Sequence, residues 1–356
     1  MDRDRGRGGA IGRAVRRFEP RPRLVDWSIL LLVAFELGSG LLSLTVGRPG
    51  GSAVFLLHGV AGLTLVFLLF YKLRRVRRLW DRATGLSVLT TAVALAALGS
   101  GVFWVFGGDV RILYWNALSA HVLFGLLLLP LVLVHAATRA RPPRRVDFRG
   151  RRTALQYAGL LVGGALVWRA QQGVNRLLDT AGADRRFTGS KPVEGASFPV
   201  TSWVADDPDP IDPDKWRLRV GGLVDEPYEL APEDLDGADE LRALLDCTSG
   251  WYTVQDWRGV LVGDLLDRAG ADPAGAWVRF VSVTGYRWSL PLDEARDALL
   301  ATRVGGEPLS HGHGAPLRLV APGRRGFQWV KWVEAVEVRD RRDPAQWFVT
   351  LVSGFD

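Results

Sequence analysis

The single cysteine of this 356-residue chain, Cys247, stands in the polar segment 246–252, of sequence Asp-Cys-Thr-Ser-Gly-Trp-Tyr. The glycine and the polar side chains predict a turn after a helix, with two aromatic side chains beside it as pocket walls. A cysteine on such a turn offers a thiolate, which is a nucleophile and a soft metal ligand. One cysteine without neighbouring Cys or His cannot complete a zinc or iron-sulfur site, so further ligands would have to come from a cofactor. The alternative is a small buried apolar residue without chemistry.

The charge of the chain is divided unequally between its halves. Residues 1–168 carry a net charge of +15 and residues 169–356 carry −8, which together give +7. The positive charges stand in short stretches beside apolar runs, as in membrane proteins, so we expect no nucleic-acid binding despite the high pI. One cysteine also excludes an internal disulfide.

The N-terminal half is predicted to be an all-α bundle of transmembrane helices. Four apolar segments are long enough to cross a bilayer: Val25–Val46, Ser52–Tyr71, Gly85–Phe106 and Ile112–Thr138. A fifth segment, Thr153–Trp168, is short and rich in Gly and Ala, so we expect it to serve as an anchor.

Basic stretches alternate with nearly uncharged loops along this half. Residues 1–23, Lys72–Arg82 and Arg139–Arg152 are strongly basic, which predicts that they are cytoplasmic. Counting the crossings from there places everything after Arg169 outside the cytoplasm. The chain is therefore predicted to be a multi-pass plasma-membrane protein with an extracytoplasmic C-terminal domain. The pair Arg151-Arg152 has two interpretations, a twin-arginine export signal or ordinary flanking charge.

The C-terminal half is typical of a mixed α+β domain. Short β-branched runs predict strands at Trp216–Val220, Trp277–Val283, Leu317–Val320 and Val333–Val338. Segments of helical character are Ala231–Leu245, Leu261–Ala269 and Leu292–Leu300. The predicted organisation is a basic cytoplasmic tail (1–24), a four-helix transmembrane domain (25–138), a basic loop with the fifth anchor helix (139–178), a linker (179–200) and an extracytoplasmic α+β domain (201–356).

Several short motifs of the C-terminal half stand in an order and spacing that resembles a known family. They are Trp216-Arg217-Leu218-Arg219-Val220-Gly221-Gly222, Cys247-Thr248-Ser249-Gly250-Trp251, Trp257-Arg258-Gly259-Val260, Thr284-Gly285-Tyr286, the stretch 313–323, Gly326 and Lys331-Trp332-Val333. Residues 198–338 are similar to the sulfite-oxidase-type molybdopterin oxidoreductases, which include the catalytic subunit of periplasmic methionine-sulfoxide reductase. The resemblance implies an enzyme with a molybdopterin-binding fold and a molybdenum-molybdopterin cofactor.

The resemblance also implies roles for individual residues. Cys247 stands at the position of the cysteine that ligates molybdenum, while Arg318 and Lys331 stand where the cofactor's phosphate or pterin is held. The same cofactor cleft would be lined by Thr284, His313, Gly326 and the backbone of Phe327. Physical chemistry agrees for the two cations, because Arg supplies a planar fork of donors for phosphate and Lys supplies a mobile point charge.

The substrate is predicted from a departure from the sulfite oxidases. No arginine closely follows Cys247 to build a pocket for the sulfite anion, and Trp251 and Tyr252 occupy that stretch instead. This favours a neutral small molecule, such as a sulfoxide or an N-oxide, reduced by oxygen-atom transfer. Tyr252 and Arg258 are the catalytic candidates beside the cysteine, since Arg258 could still reach the site.

Three of the five histidines, His58, His121 and His135, lie within the predicted spans, where polar residues are costly and usually functional. His58 and His121 lie at similar depth near the outer face, so we interpret them as the axial ligands of one haem b. His135, a weaker candidate for haem iron, lies four turns below His121 without a partner histidine. Interhelical hydrogen bonds of the imidazoles are the alternative. Glu36, in the middle of the first span, has two interpretations, a proton or quinone path or a protonated, hydrogen-bonded side chain.

Three hypotheses for function follow. The first is a molybdopterin-dependent enzyme that exchanges electrons with membrane quinone or quinol through its own haem b. The second is a sulfite-oxidase-like enzyme whose membrane half serves only as an anchor. The third is a non-catalytic membrane receptor with a degenerate domain, which the joint presence of Cys247, Arg318 and Lys331 argues against. Oligomeric state and direction of electron flow are not predicted.

Overall fold

The computed structural model describes residues 19–76, 84–112, 115–139, 141–148, 150–195, 198–202, 206–235 and 237–353. The chain divides into two compact units. The helical unit comprises Met1–Ser43 and Pro49–Gly189, and the sheet unit comprises Leu44–Arg48 and Ser190–Asp356.

The described residues of the helical unit form five long helices. They are α1 (Pro22–Ser43), α2 (Ser52–Val76), α3 (Thr84–Phe106), α4 (Ala117–Arg139) and α5 (Arg151–Leu177). Helix α1 packs on α2 and α4, α3 packs on α4, and α2 packs on α5. Within this unit a buried core includes Val25, Val33, Leu65, Leu68 and Leu128, while many other leucines and valines of the helices are exposed.

The four predicted apolar segments are confirmed as helices. The described residues contain four helices long and apolar enough to cross a membrane, at Pro22–Ser43, Pro49–Arg75, Gly85–Phe106 and Ala117–Arg139. Helix α5, with 27 residues, is longer than the predicted fifth segment and is not among them. Two predicted basic stretches fall partly outside the described residues: the N-terminal tail up to residue 18, and Lys72–Arg82 from residue 77 onward.

The fourth helix begins five residues later than Ile112, where the sequence placed the start of the segment. A short antiparallel pair of strands, β1 (Arg111–Ile112) and β2 (Trp115–Asn116), precedes it. Asn116 accepts a hydrogen bond from the backbone N–H of Ser119 at 2.9 Å. This is the geometry of a helix N-cap, which fixes the start of α4 at Ala117.

The sheet unit is built on two sheets and short helices. Its strands are β3 (Lys191–Pro192), β4 (Leu218–Gly222), β5 (Tyr228–Leu230), β6 (Asp239–Asp246), β7 (Trp251–Leu261), β8 (Trp277–Ser282), β9 (Arg287–Pro291), β10 (Leu299–Val304), β11 (Glu307–Pro308), β12 (Arg318–Val320) and β13 (Val333–Arg339). Its helices are α6 (Val262–Ala269), α7 (Leu292–Arg296) and α8 (Gln346–Val352).

One sheet has the order β11-β10-β7-β3, with β12 also paired to β10 and β6 to β7; the other has the order β5-β4-β13-β8-β9. The core of the unit joins side chains of both sheets, among them Trp257 and Leu300 from the first and Phe280 and Val336 from the second. Buried positions alternate with more exposed ones along β7 and β8, so each strand turns one face to this core.

The predicted strands and the helix at Leu261–Ala269 are confirmed, but two helix predictions are wrong. Ala231–Leu245 forms a single 3₁₀ turn at Pro232–Leu235 followed by strand β6. Eight residue pairs join β6 to β7, and this long-range pairing prevails over the local helical pattern. Leu292–Leu300 is helical only to Arg296 and then enters β10. The turn of Cys247 therefore follows a strand, within a β-hairpin.

The linker predicted at 179–200 contributes to the sheet unit. Lys191–Pro192 pairs in parallel with Trp251–Tyr252 of β7. The side chain of the preceding residue, Ser190, is buried and donates a hydrogen bond to Asp246 at 2.6 Å. This part of the segment is therefore ordered against the hairpin that carries the cysteine.

A buried ion pair joins this hairpin to a distant loop. Arg325 Nη1 lies 2.9 Å from Asp246 Oδ1, and the two side chains are 4% and 1% exposed. The two residues also form an isolated parallel β-bridge. Removing one partner of such a pair leaves a buried charge uncompensated, which is far more costly than loss of an exposed pair.

We expect Asp246→Ala to lower the free energy of unfolding by about 3 kcal/mol, because it strands the Arg325 guanidinium in the interior. The matched control is Asp256→Ala in the same hairpin, which removes an exposed pair with Arg242 and is expected to cost less than about 1 kcal/mol. Urea unfolding of the full chain in detergent, followed by tryptophan fluorescence, measures both. Equal losses would contradict this interpretation of the buried pair.

Candidate cofactor site around Cys247

Cys247 occupies the tight turn between β6 and β7. Its backbone N–H donates to the carbonyl of Trp251 at 2.8 Å, and Gly250 N–H donates back to the Cys247 carbonyl at 3.1 Å. Gly250 has φ of 101°, a conformation that favours glycine. The sulfur lies 3.1 Å from the Ser249 hydroxyl, and the cysteine is 7% exposed. The turn therefore fixes the thiol at the end of the hairpin, close to the surface of the core.

The carbonyl of Cys247 is held from a second direction. Arg325 Nη2 donates to it at 3.3 Å, and Ser190 Oγ lies 3.4 Å from it. Gly326 approaches so closely that a β-carbon there would lie 3.1 Å from the Cys247 α-carbon. The predicted site residue Gly326 is therefore beside the cysteine, and a glycine is required there by the close approach of the two backbones.

Arg318, on β12, is a buried cation beside the cysteine. One of its guanidinium nitrogens donates to the His313 carbonyl at 2.9 Å, and the guanidinium lies 5.6 Å from the Trp257 ring and 5.9 Å from the Trp329 ring. Burial lowers its pKa to about 10, an effect that the nearby Cys247 opposes. The opposition shows that the guanidinium and the sulfur are within electrostatic range of each other.

Buried N–H groups without an acceptor are found in this neighbourhood. Within the described part of the chain, Arg318 Nε, Trp257 Nε1 and Trp329 Nε1 have no hydrogen-bond partner. Buried donors without an acceptor are costly, and several together favour an anionic or oxygen-rich ligand.

Lys331 is a second, half-buried cation, and together with Cys247 and Arg318 it defines the cleft. Its ammonium donates to the Thr201 carbonyl at 2.8 Å, the Ser202 hydroxyl at 2.9 Å and the Gly312 carbonyl at 2.7 Å. Its pKa is lowered to about 7, first by burial and then by repulsion from Arg318. Cys247 and two aspartates oppose the shift. An ammonium with this pKa gains its charge readily when an anion comes near.

His313 forms a wall of the cleft. Its ring stacks on Phe198 with 4.2 Å between ring centres. Nε2 lies 3.0 Å from the Phe198 carbonyl and Nδ1 lies 2.9 Å from the Ser310 hydroxyl. Burial lowers the pKa of His313, and the charges of Arg318 and Lys331 lower it further. A neutral, fixed imidazole can position a ligand but is not free to act as a base.

Thr284 and Phe327 lie on the acidic side of the cleft. Thr284 is hydrogen bonded to the Asp206 carboxylate, and the Tyr286 hydroxyl donates to the Phe327 carbonyl. The Phe327 ring packs edge-on against Trp288 at 5.0 Å. Burial raises the pKa of Tyr286, so its hydroxyl stays protonated and acts as a donor.

Tyr252 and Arg258 have different positions relative to the cysteine. Tyr252 follows Trp251 at the start of β7 and is half-buried. Arg258 lies seven residues after Trp251 on the exposed face of the same strand, where its Nε donates to the Gly237 carbonyl. At about 3.3 Å per residue, the strand carries Arg258 roughly 23 Å from the turn. The structure therefore leaves Arg258 outside the cluster around Cys247.

Several residues of the cluster carried no recognisable signal in the sequence. Asp206, Ser190 and Arg325 stand in irregular polar stretches, where charged and hydroxyl side chains are normally solvated. Only their burial and their contacts with the hairpin and the cleft identify them.

The helical unit contains a separate cluster of polar side chains. The rings of His58 and His121 face each other with 6.0 Å between centres. His58 Nδ1 lies 2.9 Å from both Glu36 Oε2 and Ser39 Oγ, and His121 Nδ1 lies 2.8 Å from the Ala97 carbonyl. Both Nδ1 atoms are thus engaged. His135, by contrast, lies 3.4 Å from Ser87 Oγ.

Comparison with known proteins extends over the sheet unit. The family model described as "Oxidoreductase molybdopterin binding domain" matches residues 205–347. The uncharacterised oxidoreductase YuiH of Bacillus subtilis is 35% identical over 156 residues, which are 42% of this chain and 78% of that protein.

Two further relatives are named for an enzymatic activity. The protein-methionine-sulfoxide reductase catalytic subunit MsrP of Gluconobacter oxydans is 32% identical over 154 residues, 37% of this chain and 49% of that protein. A nitrate reductase [NAD(P)H] of Hordeum vulgare is 31% identical over 159 residues, 35% of this chain and 18% of that protein. The chain thus covers about half of the MsrP relative and a smaller part of the nitrate reductase.

The matched region includes the Cys247 hairpin, strand β12 with Arg318, and the bend before β13 with Lys331. It also extends over more than two thirds of the YuiH relative. The chain therefore belongs to the family of oxidoreductases with a molybdopterin-binding domain.

Proposed function

We propose that this molybdopterin oxidoreductase is a membrane-anchored enzyme that reduces a neutral sulfoxide or N-oxide by oxygen-atom transfer. The observation that carries the proposal is that one buried thiol, Cys247, lies within electrostatic range of two cations, the buried Arg318 and the half-buried Lys331. The relationship to MsrP supports the sulfoxide. The overall reaction takes up two electrons and two protons, releases water and leaves the sulfide or amine.

The residues of the cleft fit a molybdenum-molybdopterin. Cys247 would ligate the metal, and the buried donors of Arg318, which lack an acceptor at Nε, would bind the phosphate together with Lys331. Thr284, His313, Gly326 and the Phe327 backbone would line the pterin. When bound, the cofactor supplies the two-electron oxygen-atom transfer.

Other residues position the cysteine and the substrate for this reaction. The turn and Arg325 hold the backbone of Cys247, so the sulfur needs little rearrangement to bind a metal. Trp251, 5% exposed, and Tyr252 would flank the substrate beside the cysteine and limit access of water. An aromatic wall without its own charge favours a neutral substrate over an anion such as sulfite.

The helical unit is proposed to cross the plasma membrane and to pass electrons from quinol to the extracytoplasmic cleft through one haem b. His58 and His121 would hold the iron of one haem through a ring nitrogen each, which requires the two imidazole rings to face each other at close range. The observed separation of His58 and His121 fits this arrangement. Their Nδ1 contacts to a carboxylate and a carbonyl are those typical of ligating histidines and leave Nε2 for the metal.

We expect purified protein to contain one molybdenum per chain, and Cys247→Ser to abolish turnover of methionine sulfoxide because a hydroxyl is a poor substitute for a soft thiolate. The control is Ser249→Ala, which removes a neutral hydroxyl 3.1 Å from the sulfur and is expected to change the rate by less than about tenfold. Metal analysis and steady-state assays measure these effects. Full activity of Cys247→Ser would contradict the assigned role.

Cofactor retention is expected to weaken as pH rises above about 7. The pKa of Lys331 is about 7 without a bound anion, and a phosphate beside it would raise the pKa further. Binding is therefore strongest below the free pKa and declines between the free and the bound values. The test is the pterin retained after dialysis from about pH 6 to about pH 9, with Lys331→Arg as control, since arginine stays charged throughout. An unchanged pH dependence in the variant would exclude Lys331 as its source.

A Soret band is expected in the purified full chain and should be lost in His58→Ala and in His121→Ala, because each removes an axial ligand. His135→Ala, in the same bundle but hydrogen bonded to Ser87, serves as the matched control and should keep the band. Absorption spectra of the oxidised and reduced protein measure this. A wild-type protein without the band would refute the haem.

A further inference from the structure

The cofactor cleft contains a carboxylate that the proposed mechanism does not use. Asp206 is 7% exposed, although it stands in a polar stretch outside any strand or helix. Its Oδ1 has no hydrogen-bond partner in the part of the chain that the structure describes, while the carboxylate is hydrogen bonded to Thr284. A buried carboxylate oxygen without a donor is costly and is usually found where a ligand or an ordered water completes it.

The groups around Asp206 do not use its free oxygen. The three hydrogen bonds of the Lys331 ammonium go to Thr201, Ser202 and Gly312. The Tyr286 hydroxyl donates to the Phe327 carbonyl. Lys331 is nevertheless within electrostatic range of both Asp206 and Arg318. It also contacts Thr201 and Ser202, which precede Asp206 closely in the chain, so the acid lies near the cations.

The cleft thus has two kinds of polar group with opposite preferences. Arg318 and Lys331 are donors and suit an anion, whereas the free oxygen of Asp206 is an acceptor and suits an N–H group. A pyranopterin carries both: a phosphate at one end, and at the other a 2-amino-4-oxopyrimidine edge with adjacent N–H donors. A carboxylate can accept hydrogen bonds from such a pair.

We propose that Asp206 recognises the pyrimidine edge of the pterin and thereby fixes the orientation of the cofactor in the cleft. The inference rests on the proposed function, because it requires a molybdopterin. Asp206 is here a cofactor-binding residue that distinguishes one end of the pterin from the other. Thr284 orients its carboxylate through their hydrogen bond.

The test compares Asp206→Asn and Asp206→Ala with Asp207→Asn in the purified full chain. Asp207 is exposed, and its charge also raises the pKa of Lys331. Asp207→Asn therefore removes the same charge as Asp206→Asn but leaves the buried acceptor in place. The pterin per chain is measured as its fluorescent oxidation product during dialysis. Both Asp206 variants should lose pterin on the order of tenfold faster than wild type, since a charge-assisted hydrogen bond is removed. Asp207→Asn should behave as wild type.

Circular dichroism and thermal unfolding of each variant establish that the fold is retained. If the Asp206 variants are folded and keep pterin as long as wild type does, the inference is overturned, and water completes the carboxylate. If wild-type protein contains no pterin at all, the proposed function itself fails and the inference with it. The two failures are therefore distinguished by the wild-type and Asp207→Asn samples.

Discussion

The geometry of the cleft depends on the contact between the Cys247 turn and the loop at Arg325 and Gly326. The buried Arg325–Asp246 pair and the hydrogen bond from Arg325 to the Cys247 carbonyl hold the turn from the side. The missing side chain of Gly326 lets the two backbones meet. An ion pair in the interior adds little net stability over an apolar replacement, but it tolerates few alternative arrangements. Its effect here is to fix the position of one sulfur atom.

The second constraint is electrostatic. Burial lowers the pKa of Arg318 to about 10, and burial together with repulsion from Arg318 lowers the pKa of Lys331 to about 7. Burial of two cations in one cleft is unfavourable unless opposite charge is supplied. A cofactor that carries a phosphate and binds a thiolate relieves that cost, so the same residues that destabilise the empty cleft favour its occupation. The charges of Arg318, Cys247 and Asp206 therefore all act on Lys331.

In the helical unit, too, polar groups among apolar side chains are compensated by polar neighbours. Polar side chains are costly among apolar helices. In the described residues, the histidines between α1, α2, α3 and α4 contact other polar groups. Glu36 and Ser39 engage one nitrogen of His58, and a backbone carbonyl engages one nitrogen of His121. The two rings are thereby held facing each other, with 6.0 Å between their centres.

The sequence by itself determined the features that rest on local pattern: four apolar helices, most strands of the sheet unit, and the motif residues Cys247, Arg318 and Lys331. Tertiary structure decided the rest, because it depends on residues far apart along the chain. Segment 231–245 became largely a strand through pairing with β7, and Arg258, close to the cysteine in sequence, was carried away along that strand. Arg325 contacts Cys247 across 78 residues, and Asp206 is distinguished only by its burial. Neither contact nor burial can be read from a local pattern of residue types, since both arise when distant segments pack together.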